Sequence, residues 1–273
     1  GNAAVQPNLQ IPGVLGGNPN LNEEESDTYT AGVILTPGFL PNFRMSVDYY
    51  SIKLVGAISP LAGGVNSILD LCYNQIRDVA SVACQAVSRN PANGTIDTAF
   101  PVTALNENIG RLETSGVDVQ LNYRVPAGAD GRLDLSFAGS LVDEFTVTPV
   151  QELPANRNFC IGLFGPTCGE PKFELKTTTR ATWTRGKLSL SARHRWIDAV
   201  TVEDLQLATR RGGTSPAAST VAVPRIPSQS YVDVSFTLDV NERVNLWGGV
   251  NNLFDKQPPL LGTRQERNNT WPD

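Results

Sequence analysis

One histidine and one methionine stand in 273 residues. A lone histidine removes most of the usual metal centres and general-base constellations, which draw on imidazole more than on any other side chain. No run of eighteen apolar residues occurs, so a membrane-crossing helix of ordinary length is excluded. A basic excess is missing too. The 22 Lys and Arg stand against 27 Asp and Glu for a net charge of -5, the wrong balance for a chain that grips nucleic acid. Cysteine is sparse, at four.

What the chain does have is period-two patterning on a large scale. A strand, a tight turn, a second strand and a long loop recur four times. The clearest unit spans 116–145, reading GVDVQLNYRVP, AGADG and RLDLSFAGSLVDEF in succession. Val117, Val119, Leu121, Tyr123 and Val125 fall on one side, with Asp118, Gln120, Asn122 and Arg124 on the other. After the turn, Leu133, Leu135, Phe137 and Leu141 oppose Asp134, Ser136 and Ser140. Such alternation is strand geometry, because successive side chains leave a pleated backbone on opposite faces. The same reading predicts strands over 27–35, 42–54, 109–125, 132–145, 172–184, 187–199, 230–240 and 243–251, with 1–25 irregular.

The connections alternate between short (36–41, 126–131, 185–186, 241–242) and long (55–108, 146–171, 200–227). Outer-membrane barrels combine short periplasmic turns with long external loops, whereas Greek-key sandwiches do not segregate loop length. The expected fold is all-β, a transmembrane antiparallel β-barrel present in part. Short helices are expected within NSILDLCYNQ and DVASVACQAV of the first long loop. The third long loop, rich in Gly, Ser, Thr, Ala and Pro, has little to bury and is expected to be mobile.

One face of the later strands carries Lys172, Glu174, Lys176, Arg180, Lys187, Arg193 and Arg195. A Lys or Arg at mid-depth in hydrocarbon costs about 2–4 kcal/mol, so this face lines a wet interior. Arg180, Arg193 and Arg195 are expected to pair with Glu174, Asp118 or Asp134 across the wall, an anionic ligand being the alternative. Tyr123, Trp183 and Trp196 near strand ends suit aromatic girdles, and His194 reads as a lumen or girdle residue. The cysteines form two local pairs in long loops, Cys72 with Cys84 and Cys160 with Cys168, at spacings poor for zinc. Disulfides and an oxidising compartment are expected, each bridge contributing about 2–3 kcal/mol; buried free thiols are the alternative.

Four segments carry a family resemblance. GNPNLNEEESDTYTAGVILTP at 17–37 is similar to the segment before a late barrel strand of TonB-dependent outer-membrane receptors. FLPNFRMSVDYYSIKL at 39–54, with D-Y-x-x-I, resembles the strand that follows. NIGRLETSGVDVQLNYRV at 108–125 resembles the family's N-x-G strand ending in G-V-D, and GVNNLFDKQPP at 249–259 its N-L-F-D-K segment. The resemblance covers nearly the whole chain and implies that 1–273 is a carboxy-terminal portion of the barrel, about eight strands of an expected twenty-two. Neither plug nor closing strands are read in it.

The resemblance further implies an outer-membrane receptor of a Gram-negative bacterium. It would import a scarce extracellular solute (ferric siderophore, cobalamin or oligosaccharide) with energy from TonB, which acts through an amino-terminal part of the parent protein. Outer-membrane lipid and lipopolysaccharide would surround it. No cofactor is implied. A passive porin and a surface adhesin are the competing classes. Loop residues that could meet solute are Asp70, Tyr73, Arg77 and Asp78, then Arg157, Phe159 and Phe164, with solvated loop polarity or local loop packing as the role expected ahead of it. Asn251 and Asn252 suit turn hydrogen bonding. No serine–histidine–acid set suggests an enzyme, and the paired carboxylates at Glu23–Glu25 and Asp143–Glu144 sit at a strand entry and a strand end.

Overall fold

The computed structural model describes residues 11–61, 64–150, 153, 156–165, 167–221 and 223–259. The first ten residues, part of the expected irregular segment, lie outside the described residues, as do 260–273. Strands follow in the order β1 (Gly13–Gly16), β2 (Glu25–Leu35), β3 (Phe43–Pro60), β4 (Val102–Pro126), β5 (Gly131–Thr148), β6 (Asn158–Phe159), β7 (Leu163–Phe164), β8 (Leu175–Arg185), β9 (Leu188–Ile197), β10 (Val200–Val202), β11 (Arg225–Ile226), β12 (Gln229–Asn241) and β13 (Val244–Val250). The eight long strands form one sheet in the order β13-β12-β9-β8-β5-β4-β3-β2, a meander in which sequence neighbours are spatial neighbours. This order is the one expected of a barrel wall, and the sheet does not close within the described residues. Among those residues no helix is long and apolar enough to cross a membrane.

Register converts the one-dimensional alternation into a two-faced surface. Leu135 pairs with Ala181, Ala181 with Ala192, Ala192 with Val234 and Val234 with Val250. The next row along is Leu133, Trp183, Leu190 and Phe236. Between these apolar rows, on the other face, run Asp134, Thr182, Ser191 and Ser235, and beyond them Ser136, Arg180, Arg193 and Asp233. A slip of one residue in any strand would drive charges into the apolar face. Trp183 near the short-turn end and Trp196 near the loop end share the apolar face, as girdle residues do.

Strands β3, β4 and β5 overrun their expected ends. β4 has 25 residues, whereas about 9–11 tilted residues cross the hydrocarbon, so much of it stands clear of lipid. The extensions belong to one of two compact units, which comprises 1–27, 53–112 and 147–157. Its core gathers Ile68, Leu71, Cys72, Val102, Ala104 and Ile109. Two expected helical segments appear there as α1 (Val65–Asp70), which runs into a π-helical turn (Leu71–Ile76), and α2 (Val82–Gln85), capped by Ser81. Cys72 and Cys84 are joined, with Cα atoms 4.7 Å apart. Strand β1 lies where irregular chain was expected. It runs parallel to β4, with Gly13–Gly16 against 102–105.

The second unit comprises 28–52, 113–146 and 158–273 and holds most of the two-faced wall. It also contains a small sheet, β11-β10-β7, and a core of Phe164, Phe173, Val200, Val202 and Ile226. The third long loop, expected to be mobile for want of anything to bury, instead buries Val200, Val202, Leu207 and Ile226. Sparse apolar residues sufficed because they converge on one small cluster.

The lipid-facing assignment has a direct check. Nitroxide labels at Leu135 and Val234 in the membrane-embedded parent protein are expected to relax with oxygen and not with a water-soluble nickel chelate. Labels at Ser136 and Ser235 are expected to show the reverse, and water-like accessibility at Leu135 and Val234 would remove the membrane assignment.

Candidate functional site

One cluster on the charged face is built around a buried carboxylate. Asp233 is 5% exposed. Arg193 donates to its Oδ2 from Nε at 2.7 Å and approaches it with Nη2 at 2.7 Å, while Arg195 lies at 3.4 Å. The Asn252 backbone N–H donates to Oδ1 at 2.8 Å. The expected partners of these arginines, Glu174, Asp118 and Asp134, are therefore not the ones used. Asp134 instead accepts from Arg124 at 2.5 Å and Arg132 at 3.0 Å, and Arg180 reaches the Ser191 hydroxyl at 3.5 Å. The reason is register: Asp233 stands directly opposite Arg193 on the neighbouring strand, a pairing that spacing along the chain does not reveal.

The segment after β13 closes over this cluster. Asn252 takes a left-handed backbone with φ of 52°. Its side chain accepts from the Lys256 N–H and donates to the Lys256 carbonyl, both at 3.0 Å. Leu253 N–H then meets the Val232 carbonyl at 2.7 Å. Asn252 thus shapes the turn, and the N-L-F-D-K segment is the cover of the Asp233 site. The Arg195 guanidinium lies 5.4 Å from the Tyr231 ring centre and the Lys256 ammonium 6.0 Å from it. Farther along the same face Tyr50 presses on β4 at Gly116. A Cβ there would lie 2.4 Å from the Leu141 carbonyl and 2.6 Å from the Tyr50 hydroxyl, so glycine is required by close approach.

A second construction ties the disulfide loop to the loop after β9. Cys160 and Cys168 are bonded, Cα to Cα 5.4 Å. Glu203, 4% exposed, accepts from Thr167 N–H at 2.8 Å and Cys168 N–H at 2.7 Å. Gly165 admits it: a Cβ at that position, where φ is 151°, would sit 2.5 Å from the Glu203 Cγ. From α3 (Leu207–Arg210), Arg210 donates to the carbonyls of Phe159 and Ile161 at 2.7 and 2.8 Å. Arg211 donates to the Asn158 side chain. Burial pulls both guanidinium pKa values below their ordinary value, with Glu174 opposing at Arg210 and Glu203 at Arg211. A cavity of about 500 Å³ lies beside this clasp, lined by Thr167, Glu203, Leu207 and Arg211 among others.

The loop residues considered for solute contact are mostly engaged locally. Asp70 accepts from Asn74 at 2.7 Å and Gln75 at 2.6 Å. Tyr73 accepts from Arg89 at 2.9 and 2.7 Å. Arg77 ends the π-helical turn with φ of 55°, and Asp78 accepts from Ala80 N–H at 2.9 Å. Phe164 belongs to the core and is 2% exposed, unlike Phe159 at 38%. Arg157 falls in the first unit. His194 meets the Ser230 hydroxyl at 2.7 Å in a row with Thr179 and Val232 on the apolar face. The paired carboxylates do structural duty as well: Glu24 accepts from Ile58 N–H at 2.7 Å and Glu144 from the Thr146 hydroxyl at 2.9 Å. Among the described residues no group of three or more His, Cys, Asp or Glu is placed to hold a metal. The Glu203 clasp was missed in the sequence, where only the buried valines flanking it gave a signal.

A two-faced meander of long strands, joined alternately by short turns and long loops and carrying charge on one face only, defines a segment of a β-barrel wall. The chain belongs to the TonB-dependent receptor-like β-barrel family, whose model matches residues 2–253. Among solved structures it resembles the ferric enterobactin receptor of Pseudomonas aeruginosa in complex with enterobactin. The TM-score is 0.58 at 14% identity over 93% of this chain and 29% of the receptor. The siderophore receptor PirA of Acinetobacter baumannii is similar at TM-score 0.52 and 14% identity, over 89% of this chain and 29% of that one. The chain thus spans under a third of the length of either. No curated protein sequence matches it.

Two outcomes test this geometry. Glu203→Gln in the parent protein is expected to raise hydrogen exchange at the Thr167 and Cys168 amides roughly ten- to a hundredfold, since hydrogen bonds to a charged acceptor contribute about 1.5–3 kcal/mol. At Asp70 the Asn74 and then the Gln75 amides hold the carboxyl below the usual carboxylate value. A depressed folded-state pKa stabilises the loop above the unfolded value of about 3.9 and ceases to do so as pH falls through the folded value. Pepsin cleavage within 65–76 is therefore expected to rise from about pH 4 to pH 2 more steeply in the wild type than in Asp70→Asn.

Proposed function

We propose that the chain forms part of the barrel of an outer-membrane receptor that captures a scarce solute outside a Gram-negative cell and imports it with energy delivered by TonB. Membership of the receptor family over 2–253 carries this reading. On it, residues 1–273 all belong to the barrel and its external loops, and TonB acts on another part of the parent protein. The two-faced wall supports it: apolar rows meet lipid and lipopolysaccharide acyl chains while charged rows stay hydrated.

The charge of the inner row favours a ferric siderophore over cobalamin or an oligosaccharide. Around Asp233, Arg193 and Arg195 supply two positive charges against one negative, and Arg180 adds a third on the neighbouring strand. A positive concave surface concentrates anions, and iron chelates are commonly anionic. The enterobactin-bound receptor and the siderophore receptor among the similar structures agree with that choice.

Uptake decides between the classes. The full-length gene is to be expressed in cells lacking their own siderophore receptors, with and without TonB, and supplied with radio-iron chelates. The expected result is accumulation that needs TonB. Entry that persists without TonB would make the protein a porin, and surface binding with no entry would make it an adhesin.

A further inference from the structure

Two lysines on the water-facing side lack the carboxylate partner that Asp134 and Asp233 give to the arginines near them. Lys172 precedes β8 and Lys176 is its second residue. The Lys172 ammonium lies 4.7 Å from the Phe145 ring centre and the Lys176 ammonium 4.3 Å from that of Phe173. Among the described residues neither ammonium has a carboxylate within salt-bridge distance. Glu174, between them in sequence, acts electrostatically on Arg210 instead. Both lysines and both rings line one cavity of about 320 Å³, together with the hydroxyl-bearing Thr114 and Ser140. That volume sits at the low end of small-molecule sites, about 300–1,000 Å³.

The cavity is built from fixed parts. The Cys160 N–H donates to the Phe145 carbonyl at 2.8 Å, which ties one wall to the disulfide loop. The Lys172 carbonyl accepts from Gly162 N–H at 2.6 Å and the Lys172 N–H donates to the Leu163 carbonyl at 3.0 Å, which ties the other wall to the same loop. The bridge from Cys160 to Cys168 closes that loop, and Glu203 holds its far side. Phe173 is buried. Each ring face attracts the ammonium above it, but the Lys172 charge acts against that of Lys176, and an anion between the two relieves that repulsion.

We propose that Lys172 and Lys176 form a subsite for a dianion carried on a small aromatic body, the two charges meeting the two ammonium groups and the ring lying among Phe145, Phe173 and Ile161. The subsite rests on the transport reading only for the side from which the ligand arrives. Thr114 and Ser140 offer hydroxyls to the same anionic groups. The ligand is either a free small molecule or one arm of a larger solute, since both present the same chemistry.

The test uses the full-length receptor in lipid nanodiscs, with benzene-1,3-dicarboxylate as the probe. Titration calorimetry is expected to show it binding at least about tenfold more tightly than benzoate, with no binding of its neutral dimethyl ester. K172Q/K176Q is expected to lose that preference and K172R/K176R to keep it, with heat-modifiable electrophoretic mobility reporting that each variant is folded. Where the double variant does not fold, the wild type still decides. The dicarboxylate is expected to protect Lys172 and Lys176 severalfold from acetylation, read by mass spectrometry. Equal binding of inorganic phosphate, equal binding of the diester, unchanged affinity in a folded K172Q/K176Q, or absence of protection would each overturn the subsite. Protection without TonB-dependent uptake overturns the transport reading alone, and uptake without protection overturns the subsite alone. A catecholate chelate that competes with the dicarboxylate assigns the site to an arm of the larger solute, and one that does not compete assigns it to a free anion.

Discussion

The structure depends on keeping two incompatible solvents on opposite sides of a sheet one residue thick. Side chains alternate along each strand, so every strand must offer apolar and polar residues in turn. Every neighbour must also pair in the one register that extends those alternations sideways. The rows from Leu135 to Val250 and from Ser136 to Asp233 are that condition met across adjacent strands. Because the lipid face gains nothing from charge, Arg180 of β8 and Arg193 and Arg195 of β9 lie on the other face, and those of β9 share the carboxylate from β12. The turn at Asn252 then covers that carboxylate.

Beyond the hydrocarbon the rules change, and the long loops follow the rules of small globular domains. They bury their own apolar residues, and the first two are each closed by a short-range disulfide. In the second unit the bridge is reinforced by opposite charges. Glu203 satisfies two backbone N–H groups of the bridged loop while Arg210 satisfies two of its carbonyls. Such bonds to ionised groups are stronger than neutral ones. They give the loop a fixed shape, and that shape sets the distance between the walls carrying Phe145 and Lys172. Loop order and ligand geometry are in this sense one problem.

Much of this was legible in the chain. Alternation marked the long strands, and the contrast between short turns and long connections marked the two ends of the barrel. The strand ends were less legible. β3, β4 and β5 run on past the membrane through segments such as 102–108, whose residues suit a soluble core and lose the clean alternation. Strand β1 and the small β11-β10-β7 sheet left little trace, because two- to four-residue strands carry no measurable period. Of the candidate contact residues, Phe164 was open to solute contact or loop packing and is a core residue. An aromatic side chain in a loop reads the same in either role until its neighbours are known.

The order of hydrophobic and polar residues by itself determined that this chain makes long strands, that those strands have one greasy and one wet face, and that the cysteines lie within loops. These are local properties, set by how a pleated backbone directs consecutive side chains. Which charges meet was decided only by tertiary structure. Asp233 is forty residues from Arg193 and Glu203 thirty-five from Cys168, and only register and loop closure bring such groups within hydrogen-bonding distance. Lys172 and Lys176 are close in the chain, yet their significance is tertiary as well: it lies in the two phenylalanine rings and the disulfide-bridged loop gathered around them.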